Sequence, residues 1–224
     1  MKAEHIDGRK PWRSERGQHV GPLFHLADAD NVPSILRRGL MSTEELLRSA
    51  GLPEPQRSSV LRGHRTENVR LPDGVLVRDQ RPMPPGALAR ALDDGLEPAD
   101  WYALLNSFVF FWPDSERMER QRRACGDRPQ VVLTFDGGAL LNRFGHYAFV
   151  SPINSGNARR KAARRGLTTL RPYKDWLREG WLTGQRSRPP AEVLFRCAIP
   201  AKAPYLLRRT AIGGDGLEQM VPSL

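Results

Sequence analysis

The sequence is poor in cysteine and has no long apolar segment, and each of these features excludes some classes of protein. Its two cysteines, Cys125 and Cys197, are too few for a disulfide framework or a cysteine-rich zinc site. No stretch reaches the roughly 20 apolar residues that a membrane-spanning helix needs. Residues 1–18 lack the apolar core of a secretory signal peptide. The sequence therefore predicts a cytoplasmic protein with no membrane association.

Several motifs that carry a defined chemistry are also missing. The chain has no G-x-x-x-x-G-K-[ST] loop, no G-x-G-x-x-G after a strand, no H-E-x-x-H and no G-x-S-x-G. Its five histidines do not have the spacing of metal ligands, so no metal site is expected. These absences argue against kinases, P-loop NTPases, dinucleotide-binding dehydrogenases, zinc proteases and serine hydrolases.

Short apolar segments alternate with short helical ones along the chain. This pattern indicates an α+β domain with a mostly antiparallel β core and short flanking helices. Ser42 and Glu45 form a capping box, which predicts that a helix begins there. Residues 53–86, rich in Pro, Arg and Gly, are expected to form a long loop broken by one short strand at 74–77. We expect an N-terminal arm over 1–20, a single domain over 21–208 and a C-terminal tail over 209–224.

The chain is strongly basic, with 35 Lys and Arg against 25 Asp and Glu and a net charge of +10. Most of the excess lies in residues 156–188, where ten basic residues stand against two acidic ones. Basic side chains bind phosphates and interleaved aromatic rings stack on unpaired bases, so this segment is a candidate nucleic-acid interface. A solvated, arginine-rich face is the alternative. The candidate contacts are Arg159, Arg160, Lys161, Arg164, Arg165 and Tyr173.

A carboxylate occupies the last clear apolar strand, predicted over residues 191–199. Alternation places Val193 and Phe195 on a core face and Glu192 on the opposite face. Glu192 is then either an ion-paired or half-exposed residue of an edge strand, or a catalytic carboxylate that faces a cleft. The strand pattern alone leaves both interpretations open.

Three segments, taken in order, resemble DarT-type ADP-ribosyltransferases, which are toxins that modify nucleic acids. The first is Leu23-Phe24-His25, with Asn31 six residues after the histidine and a short helix that ends at Gly39-Leu40. The second is the aromatic segment 108–112, followed by Pro113 and Met118. The third is Ala191-Glu192-Val193-Leu194, followed by Ile199-Pro200. The resemblance covers roughly residues 22–205.

The resemblance implies an ADP-ribosyltransferase-like split β core and an enzyme that uses NAD as co-substrate. Such an enzyme transfers one ADP-ribose to a base of DNA or RNA and releases nicotinamide. An antitoxin or an ADP-ribosyl hydrolase would be its partner. Residues 151–157 and the arginine-rich segment after them differ from the usual DarT substrate loop, which implies a divergent branch with its own substrate.

The resemblance also implies a role for individual residues. Glu192 would be the catalytic carboxylate. Arg78 would contact the NAD phosphates and support catalysis, and the nearby Arg81 is the alternative for this role. The NAD-binding residues would be His25, Asn31, Gly39, Leu40 and Arg78.

Two other classes of function remain open from the sequence. One is a protein-targeting ADP-ribosyltransferase or an NAD glycohydrolase, which would place the ADP-ribose on protein or on water. The other is a non-catalytic, basic nucleic-acid-binding domain, which would bind with a strong salt dependence and consume no NAD.

Overall fold

Two four-stranded antiparallel sheets form the centre of the fold. The computed structural model describes residues 21–126, 128–159, 162–182 and 189–212, and the backbone of 218–221. The predicted N-terminal arm, residues 1–20, lies outside the described residues. The strands are β1 Leu23–Asp28, β2 Val69–Arg70, β3 Leu76–Val77, β4 Val109–Phe111, β5 Gln130–Phe135, β6 Ala148–Ser151, β7 Arg171–Pro172, β8 Glu192–Phe195, β9 Leu206–Ile212 and β10 Glu218–Val221.

Short helices flank these sheets. They are α1 Val32–Arg38, α2 Thr43–Ser49, α3 Gln56–Arg62, α4 Pro85–Ala89, α5 Pro98–Asn106, α6 Ser115–Ala124, α7 Gly137–Phe144 and α8 Tyr173–Glu179. The predicted capping box at the start of α2 is present, because Ser42 Oγ accepts from the Glu45 N–H and Glu45 accepts from the Ser42 N–H. Together the helices and strands confirm the predicted α+β class with a mostly antiparallel β core.

The order of the strands brings the first and last predicted motifs close together. One sheet has the order β1-β5-β9-β10 and the other has the order β4-β8-β6-β7. The sheets meet where Phe24 of β1 and Trp112, just after β4, exchange two backbone hydrogen bonds of 2.9 Å. His25 therefore lies at the junction of the sheets, while β8 lies one strand away from it, next to β4.

Strand β8 is buried on both of its faces. Val193 and Phe195 pack into the larger apolar core together with Phe111. Leu194, on the opposite face, packs into a second core with Trp101. Every residue of β8 is buried as a result, including its one carboxylate. The predicted strand over 191–199 is correct at its start, but the regular pairing ends at Phe195.

Two predictions about the less apolar parts of the chain are wrong. Residues 53–86 contain α3, β2, β3 and the start of α4 rather than a long loop with one strand. The predicted domain boundary at residue 208 falls inside β9, which pairs with β5 from Leu206 to Ile212, so the tail assigned to 209–224 is partly sheet. Strand β9 contains two arginines and a threonine, so it lacks the apolar alternation that would indicate a strand.

Gly39 allows α1 to end against the segment that follows β8. Its φ of +84° and ψ of 177° belong to a backbone region that is almost restricted to glycine. The next residue, Leu40, exchanges two backbone hydrogen bonds with Ile199, at 2.8 and 2.9 Å. A Cβ on Gly39 would lie 2.6 Å from the Ile199 carbonyl oxygen. This close approach fixes α1 beside the end of β8.

Replacement of this glycine is expected to destabilise the fold strongly. We expect Gly39→Ala to lower the free energy of unfolding by on the order of 3 kcal/mol, because backbone strain and a backbone clash combine. Gly74→Ala is the matched control, since Gly74 has the same φ of +84° but a Cβ there would meet nothing within 4 Å. Urea denaturation of both variants measures the difference, and equal losses of stability would contradict this account.

Candidate active site

A cleft of about 640 Å³ lies where the two sheets meet. Its volume falls in the range of small-molecule sites, roughly 300–1,000 Å³. The cleft is lined by parts of β1, α1, β3, β4, the end of α6 and the loop after β6. The residues singled out in the sequence that line it are His25, Asn31, Gly39, Leu40, Arg78, Arg81, Arg159 and Glu192. The structure thus brings the three motifs, far apart in the chain, to one cavity.

Glu192 is a buried carboxylate with its own hydrogen-bond donors. Its side chain is 4% exposed, and β8 is an inner strand of its sheet. The Ser155 N–H and hydroxyl donate to Oε2 at 3.0 and 2.6 Å. Within the described residues no cation lies within salt-bridge distance of Glu192, so the ion-pair and edge-strand interpretations are wrong. Both bonds end on Oε2, which leaves Oε1 for a ligand in the cleft.

The environment of Glu192 changes its acidity. Burial raises the pKa of this carboxyl to about 7, although the Ser155 hydrogen bonds and the charge of Arg165 act in the opposite direction. Near neutral pH the group is therefore divided between its acid and its carboxylate form. A carboxyl group in this state can stabilise positive charge when ionised and can accept a proton.

Ser155, which sequence reasoning missed, is itself fixed by buried donors. Its carbonyl oxygen accepts hydrogen bonds from Arg165 Nη1 at 2.9 Å and from Trp101 Nε1 at 3.3 Å. Ser155 is 37 residues from Glu192 in the chain, and its segment reads only as a turn. No local pattern connects a serine in a turn with a glutamate in a strand, so only the packing of the sheet identifies the pair.

His25 is neutral, and one of its ring nitrogens has no hydrogen-bond partner among the described residues. Its Nδ1 donates to the Phe110 carbonyl at 2.8 Å, since a carbonyl oxygen can only accept. Burial, with a smaller contribution from the charge of Arg78, lowers the pKa of His25 to about 4. At neutral pH the Nε2 atom therefore carries a lone pair that can accept a hydrogen bond from a hydroxyl group.

The structure separates the two candidate arginines. Arg81 is exposed and pairs with Asp79, with Nε 3.3 Å from Oδ1. Arg78 is half-buried and its guanidinium contacts Cys125 Sγ. Among the described residues no carboxylate lies within 4 Å of Arg78, so its charge is available to an anion in the cleft. This geometry favours Arg78 over Arg81 as the phosphate-binding residue.

A second buried arginine, also missed by sequence reasoning, holds the segment that carries Arg78. Arg65 donates from Nε to the Arg78 carbonyl at 3.1 Å and from Nη2 to Asn106 Oδ1 at 3.0 Å. Burial lowers the pKa of Arg65 to about 10, which leaves it charged at neutral pH. Arg65 thus fixes the position of the backbone at Arg78.

Asn31 lines the cleft, but its amide group is engaged elsewhere. Its Nδ2 donates to the Leu76 carbonyl at 2.9 Å and its Oδ1 accepts from the Leu76 N–H at 2.8 Å. These two bonds attach the start of α1 to β3, two residues before Arg78. Asn31 therefore supports the arginine segment, and the NAD contact expected from the resemblance stays a prediction for the part of its amide that these two bonds leave unused.

The described part of the arginine-rich segment does not form a continuous basic surface. Arg165 is 2% exposed and donates to the carbonyls of Ser155, Asn157 and Ala163. Tyr173 is 6% exposed and packs on Trp176 in the larger core. The predicted nucleic-acid contacts at Arg165 and Tyr173 are therefore wrong, because packing and buried carbonyls use these side chains.

The remaining candidates in that segment differ from each other. Arg164 is exposed but pairs with Asp93. Arg159 is exposed and lines the cleft. Arg160 and Lys161 lie outside the described residues. Arg128, which the sequence did not single out, also lines the cleft and is half-buried.

Fold and cleft together define an α+β protein with a buried carboxylate, a neutral imidazole and a guanidinium at one ligand-sized cavity. The chain belongs to DUF7002, which is described as a family of unknown function. The model of this family matches residues 21–206. No curated protein matches the sequence. Across the described part of the chain, no helix has the length and apolar character to cross a membrane. In that same part, no group of three His, Cys, Asp or Glu side chains is placed to hold a metal ion.

The raised pKa of Glu192 predicts a pH-dependent stability. Between pH 4.5 and about 7 the unfolded chain loses this proton while the folded chain keeps it, so the stability contributed by Glu192 falls as pH rises. Glu192→Gln removes the ionisation. At 1.36 kcal/mol per pKa unit, the variant should gain about 3 kcal/mol relative to the wild type between pH 4 and pH 8.

Urea denaturation across this pH range measures the gain. Glu67→Gln, at an exposed position, is the control and should follow the wild type at every pH. A constant difference between Glu192→Gln and the wild type would show that the carboxyl group titrates as it does in the unfolded chain.

Proposed function

We propose that this protein is an NAD-dependent mono-ADP-ribosyltransferase that modifies a nucleic-acid base, in DNA or RNA, and releases nicotinamide. The observation that supports the proposal best is the convergence of Glu192, His25 and Arg78 on one cleft. Near neutral pH Glu192 is partly ionised, His25 is neutral, and Arg78 has no carboxylate partner among the described residues, which suits the binding and cleavage of NAD.

The carboxylate suits the bond that must break. Cleavage of the bond between nicotinamide and ribose leaves positive charge on the anomeric carbon of the ribose. An ionised carboxylate held in a fixed position stabilises this charge, and its preorganised geometry avoids the cost of reorienting water. In Glu192 the Ser155 donors hold Oε2, and Oε1 has no hydrogen-bond partner among the described residues.

The other two residues suit the binding of the dinucleotide. The free Nε2 of His25 accepts a hydrogen bond from a ribose hydroxyl without adding charge beside the oxocarbenium-like centre. The guanidinium of Arg78 forms two parallel hydrogen bonds with a phosphate group, which a point charge cannot do. The contact between Arg78 and Cys125 keeps the guanidinium at the wall of the cleft.

The rim of the cleft supports an anionic acceptor. Arg81 and Arg159 are exposed there, and Arg128 is half-buried beside them. Arg81 and Arg128 share the carboxylate of Asp79, whereas Arg159 pairs with no carboxylate among the described residues and is available to the phosphates of a nucleic-acid strand. A non-catalytic binding domain would gain nothing from a carboxylate buried without a cation, because such a group destabilises the fold near neutral pH.

One observation favours a second candidate function. Burial of Arg165 and Tyr173 removes two of the six nucleic-acid contacts expected from the sequence. Transfer to a protein, or to water as in an NAD glycohydrolase, uses the same NAD cleft and needs fewer phosphate contacts. The position of the label after reaction with labelled NAD separates these outcomes.

Loss of the carboxylate should abolish most of the activity. We expect Glu192→Gln to lower nicotinamide release from NAD by about 10²- to 10⁴-fold, the usual contribution of one acid–base group. With the wild type the rate should rise as Glu192 ionises and level off above about pH 7. Release of nicotinamide is followed by chromatography, with Glu67→Gln as the control. An unchanged rate in Glu192→Gln would end this proposal.

The two arginines should respond differently to replacement by lysine. Arg78→Lys keeps the charge but loses one of two parallel hydrogen bonds, so the KM for NAD should rise by roughly 10- to 100-fold. Arg81→Lys, at an exposed residue paired with Asp79, should stay within about twofold of the wild type. Steady-state kinetics of both variants tests the assignment. The reverse order of effects would move the phosphate contact to Arg81.

A further inference from the structure

A second cavity, of about 400 Å³, adjoins the cleft. The two share Asn154, Asn157 and Arg159 in their linings. Ile153, Ala162, Ala163 and Arg165 line the second cavity but are absent from the lining of the cleft. We call this space the side cavity. Its volume is also within the range of small-molecule sites, so a second ligand group fits beside a ligand in the cleft.

The wall of the side cavity is the same loop that positions the carboxylate. Ser155 lies between the shared Asn154 and Asn157 in sequence and donates two hydrogen bonds to Glu192. A group bound in the side cavity therefore lies next to the loop that holds Glu192.

The loop is held in its shape before any ligand binds. Arg165 donates to the carbonyls of Ser155 and Asn157 at 2.9 Å and to that of Ala163 at 3.1 Å. Since Arg165 is 2% exposed, these bonds are shielded from water, and they join residues 155–157 to residues 163–165. A preorganised wall binds a ligand with little loss of conformational entropy.

The polar groups of the side cavity suit a nucleobase. Within the described residues the Asn154 amide makes no hydrogen bond, and Asn157 uses only Oδ1, which accepts from the Arg159 N–H at 3.0 Å. Amide groups offer a donor and an acceptor side by side, the pattern that matches the edge of a base. Arg159 is exposed between the two cavities, where it can pair with the phosphate of the same nucleotide.

We propose that the side cavity is the acceptor subsite and that it holds one unstacked base of a single-stranded nucleic acid. This inference rests on the proposed NAD-dependent activity. A ring or amino nitrogen of the base attacks the anomeric carbon of the NAD ribose. The bond from that carbon to nicotinamide breaks, its electron pair goes to nicotinamide, and the proton of the base passes to the Glu192 carboxylate. A paired base is excluded because it must leave its stack to enter.

The test places a large side chain at a residue that lines the side cavity but not the cleft. Ala163 is exposed and lines only the side cavity, so Ala163→Trp should block the acceptor and spare NAD. Label transfer from NAD to single-stranded homopolymers of each base should fall at least about tenfold, the loss expected for one good base contact. Nicotinamide release without acceptor should stay within about twofold. Ala89→Trp, at an exposed position outside both linings, is the matched control for both measurements.

Each outcome has a distinct meaning. Unchanged transfer in Ala163→Trp overturns the subsite, and label on protein alone overturns the nucleobase as ligand while the NAD cleft stands. If the wild type releases no nicotinamide, the proposed function fails. In that case the affinities of the two tryptophan variants for a labelled single strand, measured without NAD, test whether the side cavity binds a base. Equal affinities would overturn the proposed base-binding site.

A second variant tests the same base contact if Ala163→Trp does not fold. Asn154→Asp removes the amide donor but keeps the shape of the side chain, so the order of preference among the four homopolymers should change. An unchanged order and rate would overturn the proposed base contact.

A duplex of the same sequence should accept at least about tenfold less label than the single strand, and equal labelling would contradict entry of an unstacked base.

Discussion

The site depends on two hydrogen bonds that Ser155 donates to the buried carboxylate of Glu192. An ionised carboxyl group without partners inside a protein is destabilising by several kcal/mol, and the group protonates instead. The N–H and the hydroxyl of Ser155 offset part of this cost, whereas burial raises it. The pKa of about 7 is the balance of these effects, and it keeps the carboxylate available near neutral pH.

Buried arginines support this arrangement through the backbone. Arg165 cross-links the loop that carries Ser155, and Arg65 holds the carbonyl of Arg78. Both guanidinium groups donate several hydrogen bonds to backbone carbonyl oxygens, which is how a charged side chain is accommodated inside a fold. Part of the excess positive charge of the chain is therefore structural. Arg78 and Arg159, which pair with no carboxylate among the described residues, both line the cleft.

The parts of the fold that were predicted correctly have signals within a few residues of each other. The capping box at Ser42 and the aromatic segment of β4 need only local sequence to be recognised. Strand β9 was missed because its two arginines hide the alternation, and its position comes from hydrogen bonds with β5. Similarly, Ser155 meets Glu192 only after β6 and β8 have paired, a contact that no spacing along the chain encodes.

The sequence alone determined the α+β class and the presence of a carboxylate in an apolar strand, since both follow from the periodicity of neighbouring residues. It also indicated a stop for α1 at Gly39. Tertiary structure decided which charges are free. Nothing in the sequence distinguishes Arg165 from Arg78, yet the guanidinium of Arg165 is engaged by three carbonyl oxygens, whereas Arg78 lines the cleft with no carboxylate partner among the described residues. That difference arises from packing between distant segments, which sets the burial and the partners of each side chain.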